Sequence, residues 1–198
     1  MQIGDLVATG RALARRIALL PADAAGVERA RQQRQRRHLR LLQGELDAAL
    51  RNGEIYTVYQ PKFCLQTGTY DGVETLLRWY HPGLGEIDRG SVISIAEESG
   101  QIHALSLWIL ERAIADQRLL ADSNARIRFH VNVSGKSLGN DSFIDSACLL
   151  VLGAVGTIGF EITETAFIAN PVAALANLTR LVDAGIKISI DDYGSGHS

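Results

Sequence analysis

Apolar and polar residues alternate along Gly72–Trp79 (GVETLLRW), a short run bounded by Asp71-Gly72 before and Pro82-Gly83 after. That period of two predicts a strand, with Val73, Thr75, Leu77 and Trp79 on one face and Glu74, Leu76 and Arg78 on the other. A carboxylate and a guanidinium then project the same way from a mostly apolar strand, which is costly in a core unless each meets a counter-charge, a ligand or a metal. Ile55–Phe63 predicts an earlier strand whose end frays at Pro61, and Gln66–Gly72 a hairpin-like break. Leu39, Leu42, Leu46 and Leu50 repeat at helical spacing and stop at Asn52-Gly53. A long helical pattern over Ser91–Leu120 divides near Gly100, with Ile93, Ile95 and Ala96 and then Leu105, Trp108, Ile109 and Ile114 expected to face the core.

Three further strands alternate with helices: Ile127–Ser134, then a helix over Phe143–Gly153; Gly159–Thr165, then a helix opened by Asn170-Pro171 and stopped by Gly185; and Ile186–Asp192. Strands alternating with helices of this length indicate parallel βα units. Each strand keeps one apolar face and one polar face: Arg128, His130 and Asn132 oppose Phe129, Val131 and Val133; Glu161 and Thr163 oppose Phe160 and Ile162; Lys187, Ser189 and Asp191 oppose Ile188 and Ile190. An open doubly wound sheet is apolar on both faces. A polar lining with helices outside fits a βα barrel near its functional end, where the carboxyl-terminal ends of the strands carry the chemistry.

Those ends supply Glu74, Asn132, Glu161, Asp191 and Asp192. Converging carboxylates repel unless a divalent cation joins them. An all-oxygen set without cysteine suits Mg²⁺ or Mn²⁺, and the adjacent Asp191-Asp192 pair could serve two ions. Such ions activate water against a phosphodiester, and Arg78, in phase with Glu74, is placed to hold a phosphate. Plainer explanations remain open for each residue alone: an edge-strand surface for Glu74 and Arg78, a turn for Asp-Asp-Tyr-Gly, and a core pairing of Glu161 with Lys187.

Composition narrows the picture. The 198 residues suffice for one sizeable domain and an appendage; 20 Lys and Arg against 22 Asp and Glu leave a net charge of −2, so bulk charge argues for neither nucleic acid nor membrane. Cys64 and Cys148 form no close-spaced pair, which fits a reducing compartment, and neither a signal peptide nor a transmembrane run is evident, so a cytoplasmic location is expected. Residues 1–38 are rich in Arg, Ala and Gln. They are expected to form a basic helical linker or the remnant of an upstream signalling domain, with a nucleic-acid or lipid contact as a lesser possibility.

Together these segments resemble the EAL domain, the bacterial phosphodiesterase domain acting on cyclic di-GMP. The resemblance rests on Tyr59-Gln60-Pro61, Val73–Trp79, His81-Pro82, Ala96–Gly100, Val131–Ser134, Glu161–Glu164 and Asp191–Gly196, in order over about residues 40–198. The signature tripeptide stands here as Glu74-Thr75-Leu76, with Thr for the usual Ala on the outward parity, where a packing change is expected. The resemblance implies a TIM-type βα barrel, incomplete in this chain with about five strands, preceded by the N-terminal helical segment; residues 39–198 would be the amino-terminal portion of the domain. It implies that Glu74, Asn132, Glu161, Asp191 and Asp192 hold metal, with Glu74, Asp191 and Asp192 serving catalysis. Gln60 and Arg78 would contact the ligand, and Glu164 would brace the loop after Asp191-Asp192. It further implies Mg²⁺ or Mn²⁺, two ions in an intact domain, and cyclic di-GMP as ligand, with a homodimer or a partner signalling domain possible and no DNA.

Family members continue beyond the point corresponding to Ser198, through strands that carry a lysine assisting the attacking water, another acidic ligand and a guanine-contacting glutamine. Hydrolysis of cyclic di-GMP to the linear dinucleotide is the first expectation, because every metal position of the family within the covered part is filled. A catalytically inactive cyclic di-GMP reader or protein-interaction module is the second, and an unrelated Mg²⁺-dependent barrel enzyme is a distant third.

Overall fold

The computed structural model describes Gly26 and residues 41–121, 127–163 and 171–191, the last without the Asp191 side chain. The basic segment 1–38, Glu164 and Asp192 lie outside the described residues, Gly26 excepted. The chain forms two units, residues 1–44 and 45–198. In the first, Gly26 and residues 41–44 are helical. The second holds everything that follows.

Helix α1 (residues 41–52) buries Leu46 and Ala49, and β1 (Ile55–Cys64) and β2 (Thr69–His81) form an antiparallel hairpin. Pro61 lies inside β1, not at its end. β1 has a single neighbour in the sheet, so a residue without an N–H is tolerated there, and the register shifts next to it between Lys62 and Phe63. The short β3 (Gly85–Ile87), which the sequence pattern did not suggest, pairs antiparallel with the end of β2. The helices α2 (Arg89–Glu98) and α3 (Ile102–Ala121) then divide at Gly100, whose φ of 74° lets the amides of Ser99 and Gln101 turn back onto the carbonyls of Ile95 and Ala96. The buried stripe of α2 is Val92, Ile95 and Ala96; Ile93 is only half-buried, as is Trp108 on α3, over whose ring Arg112 lies at 5.5 Å.

The remaining units run β4 (Arg128–Val133), α4 (Gly135–Leu138), α5 (Asp141–Val151), β5 (Ile158–Thr163), α6 (Pro171–Asp183) and β6 (Lys187–Asp191). Ser134 and Asn140 cap α4 and α5 through their side-chain oxygens. The sheet order is β1-β2-β4-β5-β6, with β3 beside β2; the β2–β4, β4–β5 and β5–β6 pairs are parallel. Phe129, Val131, Phe160 and Ile162 are fully buried. Helix α3 lies on the face of Thr75 and Phe129: Asp116 on α3 accepts from the Tyr59 hydroxyl, and Tyr59 meets Phe129 edge to face at 5.1 Å. Gln117, 2% exposed, ties α3 to the sheet by donating to the carbonyls of Ile127 and Thr157 and accepting from Gly156 N–H. This is the mixed α/β architecture of a βα barrel wall, with six strands where about five were expected. Thr75 sits on the helix-facing side, 2% exposed, its hydroxyl without a hydrogen-bond partner among the described residues.

Candidate functional site

Register fixes what stands beside what. Gln60 is opposite Glu74 across the β1–β2 hairpin, Glu74 opposite His130, and Asn132 opposite Glu161. Parity then places Gln60, Glu74, Arg78, His130, Asn132 and Glu161 on one face of the sheet. Of the residues expected at the site, Gln60, Glu74, Arg78, Asn132 and Glu161 therefore share one face. Asp191 ends β6 opposite Thr163, on the strand next to Glu161, and its side chain, like all of Asp192 and Glu164, is outside the described atoms.

The contacts are specific. Asn132 Nδ2 donates to Glu74 Oε1 at 2.7 Å, and Arg89 at the start of α2 brings Nη1 to 3.7 Å from the same oxygen. Gln60, Glu74, Leu76, Arg78, Glu86 and Arg89 line an open cleft of about 660 Å³. Arg78 donates to its neighbour's Leu77 carbonyl and lies 3.9 Å from the exposed Glu86 carboxylate, so its guanidinium keeps donors for an incoming anion. Asn132 and Glu161 border a separate cavity of about 410 Å³ that reaches past Thr75 and Leu77 to Ile93, Leu105 and Glu97. The Asn132–Glu74 hydrogen bond joins the two spaces.

Glu161 is only 4% exposed and does not pair with Lys187, which is exposed on β6 opposite Gly159. Its partner is Lys62 on β1, whose Nζ contacts Oε1. His130 Nδ1 lies 3.3 Å from that same oxygen, poorly aligned for a hydrogen bond. The His130 imidazole first, and the Lys62 ammonium after it, hold the Glu161 carboxyl below the usual carboxylate range against the opposing pull of burial. Nearby, Glu97 is likewise held low, first by the Ser134 hydroxyl (2.6 Å) and then by Lys136 (3.0 Å).

Lys62, His130 and Arg89 were not identified as site residues from sequence. Lys62 shares the parity of Gln60, which was the available signal, but its target on β5 is three strands away in sheet order. Arg89 is the first residue of α2 and shows no periodicity. Glu74, Glu161 and the Asn132 amide carbonyl are hard oxygen donors on adjoining strands, a set that suits Mg²⁺ or Mn²⁺. Among the described residues, no three His, Cys, Asp or Glu side chains are gathered closely enough to hold an ion unaided.

Residues 43–198 match the family model of the EAL domain. A cyclic di-GMP phosphodiesterase of Pseudomonas aeruginosa is 36% identical over 149 residues, covering 72% of this chain and 25% of that protein. The cyclic di-GMP phosphodiesterase RocR of the same organism is 33% identical over 152 residues, covering 75% of this chain and 39% of RocR. Among solved structures, the MucR phosphodiesterase in complex with cyclic di-GMP superposes with a TM-score of 0.71 at 33% identity, covering 78% of this chain and 64% of that one. The chain thus spans well under half the length of these curated relatives. No helix among the described residues is long and apolar enough to cross a membrane.

Proposed function

This chain belongs to the EAL domain family, and from that premise we propose that it binds cyclic di-GMP in the cleft between Gln60 and Arg89 and serves its hydrolysis to the linear dinucleotide. The observation that carries the proposal is the convergence of Glu74, Asn132 and Glu161 on one polar face, beside a cleft lined by Gln60 and Arg78. Arg78 and Arg89 offer planar guanidinium groups suited to the two phosphates of a cyclic dinucleotide, and Gln60, exposed on β1, offers an amide. Glu74, Asn132, Glu161, Asp191 and Asp192 would hold Mg²⁺ or Mn²⁺. When bound, such ions stabilise the charge that develops on the phosphoryl oxygens and lower the pKa of the attacking water. The protein's own share is orientation: Asn132 fixes Glu74 through its amide donor, Lys62 and His130 fix Glu161, and the paired arginines align the phosphodiester for in-line attack. Two cysteines without a close-spaced partner suit the cytoplasm, where this nucleotide would be met. A homodimer, with Glu164 bracing the loop after Asp192, belongs to the same proposal.

A second reading, binding without turnover, is favoured by one observation: Lys62 and Arg89 already sit on Glu161 and Glu74, so the carboxylates are balanced by the chain's own cations. The test is to incubate the folded chain with cyclic di-GMP and Mn²⁺ and to quantify the linear product by chromatography, with binding measured in parallel by calorimetry. Product that disappears in Asp191→Ala supports hydrolysis. Binding that is lost in Arg78→Ala, without product, supports the second reading. Neither binding nor product overturns both.

A further inference from the structure

Among the described residues, Lys62 is the one cation that reaches Glu161 from outside the parallel strands, and how it gets there is informative. In sheet order, β1 and β5 are separated by β2 and β4. Three strand spacings amount to about 14 Å in a flat sheet, more than twice the reach of a lysine side chain. The contact therefore exists only because the sheet curls and brings β1 over the polar face of β5. Gly72, directly opposite Lys62 on β2, puts no side chain in that path. Gly159, directly opposite His130 on β5, leaves room for the imidazole: a Cβ there would come within 2.8 Å of His130 Nδ1.

Both basic groups converge on one atom. Lys62 Nζ and His130 Nδ1 each approach Glu161 Oε1. Glu161 Oε2 takes no part in these ion pairs, while across the register Asn132 stands beside it on β4 and is itself held to Glu74. Lys62 also comes from the amino-terminal end of the parallel strands, opposite Gly72 and two residues before the level of Glu74.

We infer that Lys62 is a positioning residue for the proposed cation site: by holding Oε1 it keeps the buried Glu161 side chain in one orientation. The inference rests on Glu161 being a ligand, as proposed above. A carboxylate this buried is strongly disfavoured without a counter-charge. Removing Lys62 would free the side chain to turn away, and the ligand would be lost although no ligand atom had been changed. Groups that brace a ligating carboxylate typically alter metal affinity by about ten- to a hundredfold when removed.

The experiment measures Mn²⁺ binding to the whole chain by calorimetry and by electron paramagnetic resonance of free Mn²⁺, without nucleotide, for wild type, Lys62→Met, Lys62→Gln, Lys62→Arg, Glu161→Gln and the Lys62→Met/Glu161→Gln double variant. Lys62→Met and Lys62→Gln are expected to bind Mn²⁺ at least about tenfold more weakly. Lys62→Arg should restore most of the affinity, and Lys62→Met should add nothing once Glu161 is Gln. The uncharged Gln keeps a hydrogen-bonding head and provides a folded variant if Met does not give one, with far-UV circular dichroism as the check. Unchanged or tighter binding in both uncharged variants, while Glu161→Gln weakens it, overturns the role of Lys62 and leaves the metal site standing. Binding that is absent in wild type and all variants, or indifferent to Glu161→Gln, overturns the metal assignment and the inference with it.

Discussion

At Gly72 the backbone of β4 leaves no room for a side chain on β2, and replacing this glycine tests how tightly these two strands are joined. A Cβ built on Gly72 would lie 2.5 Å from the Arg128 carbonyl oxygen, about 0.9 Å short of ordinary contact. The obstacle is backbone, so no rotamer change relieves it; β2 must move away from β4. The ladder it would strain runs only from Gly72–Arg128 through Val73–Phe129 and Glu74–His130 to Thr75–Val131. Overpacking of this kind costs about 1–3 kcal/mol, and an unyielding neighbour favours the upper end. The entropy that Ala removes from the unfolded chain returns about 0.4–1 kcal/mol. Gly72→Ala is therefore expected to destabilise the protein by about 2 kcal/mol, read as a lower urea midpoint at unchanged slope in far-UV circular dichroism. Gly44→Ala is the control: that glycine is helical, exposed and has nothing within 4 Å of its would-be Cβ, so the same change should stabilise by about 0.5–1 kcal/mol. A loss below about 0.5 kcal/mol for Gly72→Ala would refute the close approach of β2 and β4.

Three other outcomes are expected. Asn132→Asp places a carboxylate where an amide now donates to Glu74 at 2.7 Å, so without divalent ions the variant should be less stable by about 1–3 kcal/mol, and Mn²⁺ should return most of that; equal loss with and without Mn²⁺ would count against a cation between these strands. Arg78→Ala should weaken cyclic di-GMP binding by about ten- to a hundredfold while stability stays within about 0.5 kcal/mol, because the arginine's ion pair is long and meets an exposed Glu86; a larger fall in stability than in affinity would mark Arg78 as structural. Glu97 has its folded pKa depressed below the ordinary 4.5 by Ser134 and Lys136. Its contribution is therefore present above that value and lost as pH falls through the folded one, and Glu97→Gln should narrow the difference in urea midpoint between about pH 6 and about pH 3.5; an unchanged difference would show that other carboxylates carry the acid sensitivity.

The strands, their faces and much of the site were legible because strand parity is a local property. Glu74, Arg78, Asn132 and Glu161 share a face by counting residues, and the turn signals at Asn52-Gly53, Gly100 and Gly185 mark boundaries through the φ each turn demands. The errors arose where a neighbour decides. Pro61 suggests an end to β1, yet an edge strand accommodates it. Ile93 and Val92 are equally apolar, and only the angle at which α2 meets the sheet selects Val92 for the core. The three-residue β3 is too short to show a period and exists because β2 runs on to His81 and offers it a partner.

What the sequence determined by itself is therefore which residues share the polar face of the sheet, along with the family to which their pattern belongs, since both follow from short-range spacing. What only the tertiary structure decided is which charges meet. Glu161 could have paired with Lys187 on the adjacent strand; it pairs with Lys62 on the far side of the sheet instead. Arg89, at the start of a helix, comes beside Glu74. These contacts depend on how the strands and α2 are arranged in space, and they couple residues as far apart in sequence as Lys62 and Glu161, a separation across which no local period carries information.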